Sequence, residues 1–270
     1  MSLLTPPSKV RWGLIVASSS VLLISLTACG TPAVTPASAA PAESETAQSA
    51  SSPSILLFVG TGTSSTDVTA VETILSTNKL AYATANSAQL DDMSQSELMA
   101  YKLLIVPGGN SITIGEGLTS TATNTVHDAV QQGLHYLGIC AGGFFGGYSE
   151  YNGLNLTSGV WFNFYEDYNE GIYKAAVEVS QPNGTELDQY WQDGPQFTGW
   201  GNIVGKYSNG TPAIVEGKSG NGWVILAGIH AEAPASWRIG MTFTTPVQTD
   251  NAYAYTLINA ALNGTSLAHY

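Results

Sequence analysis

The sequence predicts an α/β protein, a doubly wound and mostly parallel sheet flanked by helices, with a β-rich C-terminal half. Three observations predict it. Short apolar runs alternate with helical patterns from Ile55 to Ile139, as strands covered on both faces do. Two of these runs stop at small-residue turns, Pro107-Gly108-Gly109 and Cys140-Ala141-Gly142-Gly143. Past residue 150, aromatics and Asn-Gly turns take over, at Asn183-Gly184, Asn209-Gly210 and Asn221-Gly222, which is the composition of hairpins.

The elements follow in order. Ile55 to Val59 (ILLFV) reads as the first buried strand, ended by Gly60 and Gly62. Ser65 or Thr66 caps a helix through about Thr77, with Val68, Val71, Ile74 and Leu75 at helical spacing. Leu80 to Thr84 is a second strand, Ser94 to Ala100 a short helix, and Leu103 to Val106 a third strand. A helix spans Ala122 to Gln132 with Gly133 as its stop, and Leu134 to Ile139 is a fourth strand running into Cys140. Later, Thr211 to Lys218 and Gly222 to Gly228 form two arms of a hairpin; the second holds the buried run Trp223 to Ala227 and leads to His230. Asp250 caps a last helix through Ala261, closed by Gly264. Ligands of such sheets sit beyond the carboxyl ends of the strands, where both small-residue turns fall.

Ahead of Ile55 the chain has another character. Lys9 and Arg11 precede an apolar stretch from Trp12 to Leu26, interrupted by Ser18 to Ser20. That length is short for a bilayer span and suits a signal-peptide core. It ends in Leu26-Thr27-Ala28-Cys29-Gly30, which resembles a bacterial lipobox, in which the cysteine is acylated and becomes the first mature residue. Residues 30–54 hold no aromatic and a single aliphatic larger than alanine, Val34, so they cannot build a core. The expected organisation is therefore a lipoprotein signal peptide at 1–28, an Ala/Pro/Ser/Thr tether at 29–54, and one folded domain at 55–270. The expected location is extracytoplasmic, lipid-anchored to the bacterial cell membrane or outer membrane.

Acids outnumber bases 20 to 8 in the 270 residues, a net charge of −12. Without the first 28 residues, which hold two of the bases and no acid, the balance is −14. Such a surface repels phosphate backbones and anionic lipid alike, which argues against nucleic-acid binding and leaves any membrane attachment to a covalent lipid or an inserted helix. No metal spacing such as HExxH is present, and no cofactor loop is complete. Gly60-Thr61-Gly62 lacks a third glycine, having Ser65 in its place, and Glu216-Gly217-Lys218-Ser219 follows Pro212 where a phosphate loop needs glycine.

With Cys29 assigned to lipid, Cys140 has no disulfide partner within the chain. It follows a strand and is flanked by Gly138, Ala141, Gly142 and Gly143, the thiol form of a nucleophile elbow, whose tight turn excludes bulky neighbours. At a helix start its thiolate is favoured. The Ala141 N–H points toward a developing oxyanion, and the Gly108-Gly109 turn at the end of the adjacent strand can supply the second donor. A thiolate needs a base, and the base an orienting group. Among four histidines only His230 ends a buried strand, and Glu232, two residues on, faces the same side of extended chain.

An elbow cysteine followed about 90 residues later by His-x-Glu resembles the class I glutamine amidotransferases. The nearer likeness is to the amidotransferase-like N-terminal domain of biotin–protein ligases. It is carried by Leu104 to Gly109 (LIVPGG), Gly133 to Gly143 (GLHYLGICAGG), Gly220 to Glu232 and the region of Asp193-Gly194-Pro195, over roughly Ile55 to Ala261. The resemblance implies a flavodoxin-like sheet, Cys140 as nucleophile, His230 as base, Glu232 as orienter, and Gly109 and Ala141 as oxyanion donors. Ala231 stands where the family has proline between His and Glu. No biotin-ligase catalytic segment is recognisable, so neither biotin ligation nor glutamine-dependent synthesis is expected. The expectation is thiol-dependent hydrolysis of an amide or acyl compound, on an unknown small-molecule or peptide ligand. The rival is a non-catalytic envelope domain that binds or senses a ligand. The aromatics of Trp161 to Tyr165, with Tyr190-Trp191, either line a cleft beside Glu166 and Asp167 or pack the core and rim.

Overall fold

The computed structural model describes residues 52–270; the signal segment, Cys29 and most of the tether lie outside the described residues. The first half runs β1 (Ile55–Phe58), α1 (Ser65–Thr77), β2 (Tyr82–Ala85), α2 (Ser87–Asp92), α3 (Gln95–Leu98), β3 (Leu103–Val106), α4 (Ser111–Glu116), α5 (Ser120–Gln132), β4 (His135–Ile139) and α6 (Ala141–Gly146). The second half adds β5 (Asn163–Phe164), β6 (Lys174–Ser180), β7 (Glu186–Gln192), β8 (Pro195–Gln196), β9 (Asn202–Tyr207), β10 (Pro212–Ser219), β11 (Gly222–Ala227) and α7 (Val247–Asn263).

Nine strands form one sheet in the order β2-β1-β3-β4-β11-β10-β9-β6-β7. From β2 to β11 every pairing is parallel, and from β11 onward every pairing is antiparallel. The β-rich half thus extends the parallel sheet rather than forming a separate layer. Alternation along the strands divides the core. Ile55, Leu57, Leu103, Ile105, Leu137 and Ile225 pack with Val71 and Leu75 of α1 and Leu257 and Ile258 of α7. Leu56, Phe58, Leu104, Val106, Tyr136 and Leu226 pack with Val126, Ala129 and Val130 of α5 and Phe145 of α6. Each aliphatic so buried contributes about 1.5–3 kcal/mol, which is why a four-residue strand survives with no polar face.

Several boundaries differ from the sequence reading, each for a local reason. Strand β2 starts at Tyr82, not Leu80, because Lys79 turns at φ +56° and the Leu80 N–H still closes α1 on Leu75. Helix α1 is capped by Ser64, whose side chain accepts from the Asp67 N–H. Helix α5 starts earlier than Ala122, with Thr119 as its cap. Helices α2 and α4 were not expected; they are six residues long, too short for periodicity, although Asn86 and Asn110 cap them. Asp250 does not cap α7. Pro246 opens that helix and Asp250 is fully buried in its first turn, where it meets Arg238 and Gln189.

Two glycines allow α6 to press into the sheet. A Cβ on Gly142 would land on the Val106 carbonyl, and one on Gly138 would land on the Gly142 carbonyl. That close approach aims the first turn of α6 across the carboxyl ends of β3 and β4.

Candidate active site

Cys140 sits between β4 and α6 with φ +49° and ψ −104°, a backbone conformation that non-glycine residues rarely adopt. Such strain costs of order 1–3 kcal/mol and persists only where surrounding contacts impose it. Here the Cys140 N–H donates to the Ala227 carbonyl of β11 at 2.7 Å, and the Gly143 and Phe144 N–H groups donate to the Cys140 carbonyl. The side chain is thereby turned into a cavity of about 590 Å³ whose walls include Ser64, Asp67, Gly109, Ala141, Tyr190, Gln192, Asp193, His230 and Trp237.

His230 reaches the same cavity from the end of β11. Its N–H donates to the Tyr190 carbonyl at 2.8 Å, a bridge that ties the loop after β11 to β7. Tyr190 and Trp237 pack edge-on against its ring, with centroids 5.8 and 5.6 Å away. Nδ1 lies 2.8 Å from Glu232 Oε1 in hydrogen-bond geometry. The chain is not extended here as the sequence reading expected: Ala231 and Glu232 lie in a turn closed by the Ala233 N–H on the His230 carbonyl at 3.2 Å. This turn brings Glu232 onto Nδ1, while Asn251 donates to the Ala231 carbonyl at 3.0 Å. With Nδ1 so engaged, Nε2 is the nitrogen left for chemistry.

Cys140 and His230 are not hydrogen-bonded to each other. The thiol instead donates to the Gln192 carbonyl, 3.3 Å from Sγ. The direct Cys–His contact expected from the sequence is thus absent from this resting arrangement, because β7 runs past the elbow and offers a nearer acceptor. The two groups still act on each other electrostatically. Burial alone would push the His230 imidazole down, but the charges of Cys140, Glu232 and Asp67 outweigh it and hold the ring well above the ordinary histidine value.

The two proposed oxyanion donors face this cavity as well. Neither the Gly109 nor the Ala141 N–H has a backbone acceptor among the described residues. Gly109, at φ +147°, is held by bonds on either side of it, from Ser64 N–H to the Gly108 carbonyl and from Asn110 N–H to the Gly62 carbonyl.

Asp67 was not singled out in the sequence. It lies on the first turn of α1, where an acid reads simply as a favourable charge at a helix N-terminus. In the fold its Oδ1 comes within 3.0 Å of His230 Nδ1. Burial would raise its carboxyl, yet the adjacent His230 charge keeps it below the usual value. Nδ1 and one oxygen each from Asp67 and Glu232 lie within 4.8 Å of one another, a spacing that could hold an ion. The hydrogen bond to Glu232 occupies the Nδ1 direction a metal would use, and Asp67 adjoins the same atom as an ion-pair partner. Gln192 and Asp193 were also missed as cavity residues; Asp193 adopts φ +47°, and burial raises its carboxyl.

The aromatic segment divides between the two roles considered for it. Phe164 and Tyr168 stack at 4.0 Å and line the cavity beside Phe144. Trp161, Tyr148 and Tyr151 line an adjoining groove of about 390 Å³. Tyr165 and Trp191 are buried in the core, and Glu166 and Asp167 do not line the cavity. His127 bonds the Leu154 carbonyl, while His135 accepts from the Trp223 N–H, so both serve local structure.

Residues 53–153 match the family model described as biotin-protein ligase, N terminal, a span that includes Cys140 and stops short of His230. The chain is 29% identical to the biotin–protein ligase of Schizosaccharomyces pombe over 49% of its own length, and it spans 26% of that protein. Among solved structures, an exo-β-1,4-mannosidase from an Opitutaceae bacterium aligns with 78% of the chain and 36% of its own, at 15% identity and a TM-score of 0.48. A putative ThuA-like protein from Bacteroides uniformis aligns with 68% of the chain and 85% of its own, at 11% identity and a TM-score of 0.45. A mutant DJ-1 from Schizosaccharomyces pombe aligns with 33% of the chain and 58% of its own, at 20% identity and a TM-score of 0.25.

Proposed function

We propose that this domain, similar over residues 53–153 to the N-terminal domain of biotin–protein ligases, is a thiol-dependent hydrolase of an amide or related acyl compound, held outside the cell membrane by a lipid on Cys29. One observation carries the chemistry: a cysteine in a strained elbow shares a cavity with a buried histidine whose Nδ1 is held by Glu232 at 2.8 Å. In this reading the thiol proton passes first to His230 Nε2, giving a thiolate–imidazolium pair. The thiolate then attacks the carbonyl carbon, forming a C–S bond as the C=O π electrons move to oxygen. The oxyanion takes the N–H groups of Gly109 and Ala141. His230 returns the proton to the leaving amine or alkoxide as the C–N or C–O bond breaks. Water, deprotonated by His230, then cleaves the thioester and restores the thiol. The thiol must leave the Gln192 carbonyl before attack, by rotation about its side-chain torsion.

An activated ester tests this without knowledge of the natural substrate. Full-length protein mixed with p-nitrophenyl acetate and quenched in acid is expected to carry one acetyl group, on Cys140, that disappears on further incubation. Acetylation confined to lysines, or an adduct on Cys140 that never turns over, overturns hydrolysis. The tether is tested separately. In a bacterial host fed labelled palmitate, the wild-type chain is expected to take up label and partition with membranes. Cys29→Ser is expected to do neither; label retained in that variant refutes the lipid assignment.

A further inference from the structure

The Nδ1 atom of His230 can present one proton, yet two carboxylates stand against it, Glu232 Oε1 at 2.8 Å and Asp67 Oδ1 at 3.0 Å. They come from different parts of the chain, Glu232 from the loop after β11 and Asp67 from the first turn of α1. All three side chains are withdrawn from solvent, at 3% exposure for His230 and Glu232 and 7% for Asp67. Only the Glu232 contact has hydrogen-bond geometry, and Asp67 Oδ1 is buried with no hydrogen-bond partner among the described residues. A buried charged acceptor left in that state is costly unless a cation adjoins it. Here the adjoining group is the imidazole, and the fold makes room for the pair. A Cβ on Gly108 would strike both Asp67 Oδ1 and His230 Cε1.

We propose that Asp67 is a second carboxylate partner of His230, a positioning residue that shares with Glu232 the task of keeping the ring oriented and positively charged opposite Cys140, so that neither carboxylate alone is indispensable. The inference rests on reading Cys140 and His230 as the reacting pair. The groups facing the ring are Asp67 from α1, Cys140 from the elbow, Tyr190 from β7 and Glu232 from its own loop, with Trp237 as a neutral wall. Removing Glu232 leaves Asp67 Oδ1 within reach of the Nδ1 proton; removing Asp67 leaves the existing hydrogen bond.

The test follows the His230 ring by NMR in full-length, imidazole-labelled protein through a pH titration, comparing wild type, Asp67→Asn, Glu232→Gln and the double variant. Each single substitution is expected to lower the pH at which the ring loses its proton, and the double substitution to lower it below both. Alkylation of Cys140 by iodoacetamide at pH 7 is expected to slow by less than about tenfold in either single variant and by about a hundredfold in the double, the scale of losing charge-assisted hydrogen bonds. An Asp67→Asn titration that superimposes on wild type, or a Glu232→Gln variant that alone shows the full loss, overturns the proposal. Should Asp67→Asn fail to fold, Glu232→Gln decides by itself: a ring still titrating above the ordinary histidine value supports the shared role, and one titrating below it refutes it. The NMR reading needs no substrate, so its failure is distinguishable from a failure to acetylate Cys140.

Discussion

Replacing His230 with glutamine is expected to slow p-nitrophenolate release from p-nitrophenyl acetate by on the order of 10⁴-fold, the upper end of what a positioned general acid–base contributes. The side chain that replaces it can hydrogen-bond but cannot carry a proton between the thiol and the leaving group. Stopped-flow absorbance measures the burst, and circular dichroism shows whether the sheet persists. A rate within tenfold of wild type would mean that His230 is not the base. The substitution has a second expected signature. With the imidazolium gone, Asp67 and Glu232 face each other buried and without a cation. The melting temperature is therefore expected to fall at pH 7 and to recover as pH drops toward the carboxylate range, where one of the two takes up a proton. The sign follows from Asp67: without the His230 charge that lowers it, burial raises its folded-state pKa, so folding binds a proton and acid restores stability. Loss of turnover with that pH-dependent melting would separate lost chemistry from general damage.

The parallel half of the fold was legible because its strands are buried on both faces. ILLF at 55–58 and LLIV at 103–106 have no polar face to confuse with a helix, and flanking glycines set their ends. The antiparallel half was legible as hairpins, through Asn-Gly turns, but not as an extension of the same sheet. Nothing local in β11 states that it will pair with β4 in parallel register; the registry Val224↔Tyr136, between residues 88 apart in the chain, comes from the global packing. At the site, Cys140 is marked by its small neighbours and His230 with Glu232 by their spacing on one strand end. Asp67 carried no such mark. Its role depends on α1 lying beside the loop after β11, a contact between segments 163 residues apart in the chain. The thiol's bond to the Gln192 carbonyl is equally non-local, because it depends on where β7 crosses the elbow.

Replacing Arg238 with methionine is expected to destabilise the folded state by about 3–5 kcal/mol at pH 7, the usual cost of stranding one partner of a buried ion pair. Arg238 donates to Asp250 and to the Thr245 carbonyl, and it packs 4.3 Å from the Phe243 ring centroid. Asp250, with no exposed surface, also accepts from Gln189 of β7 at 2.9 Å. This cluster joins α7 and β7 to the turn after β11, the turn whose Trp237 walls His230. Burial lifts the Asp250 carboxyl to about 6 even against the lowering effect of Arg238, and removing the guanidinium lifts it further. The folded state then binds a proton that the unfolded chain, with an ordinary carboxyl near 3.8, releases. Stability of Arg238→Met is therefore expected to rise as pH falls from 7 to 5, the reverse of ordinary acid denaturation, and urea unfolding at the two pH values measures it. A deficit independent of pH would mean that the lost contacts are those to Thr245 and Phe243 rather than to the Asp250 charge. Because Trp237 precedes Arg238 directly, a folded Arg238→Met at low temperature is also expected to loosen the wall of His230. That links a pair outside the cavity to the geometry within it.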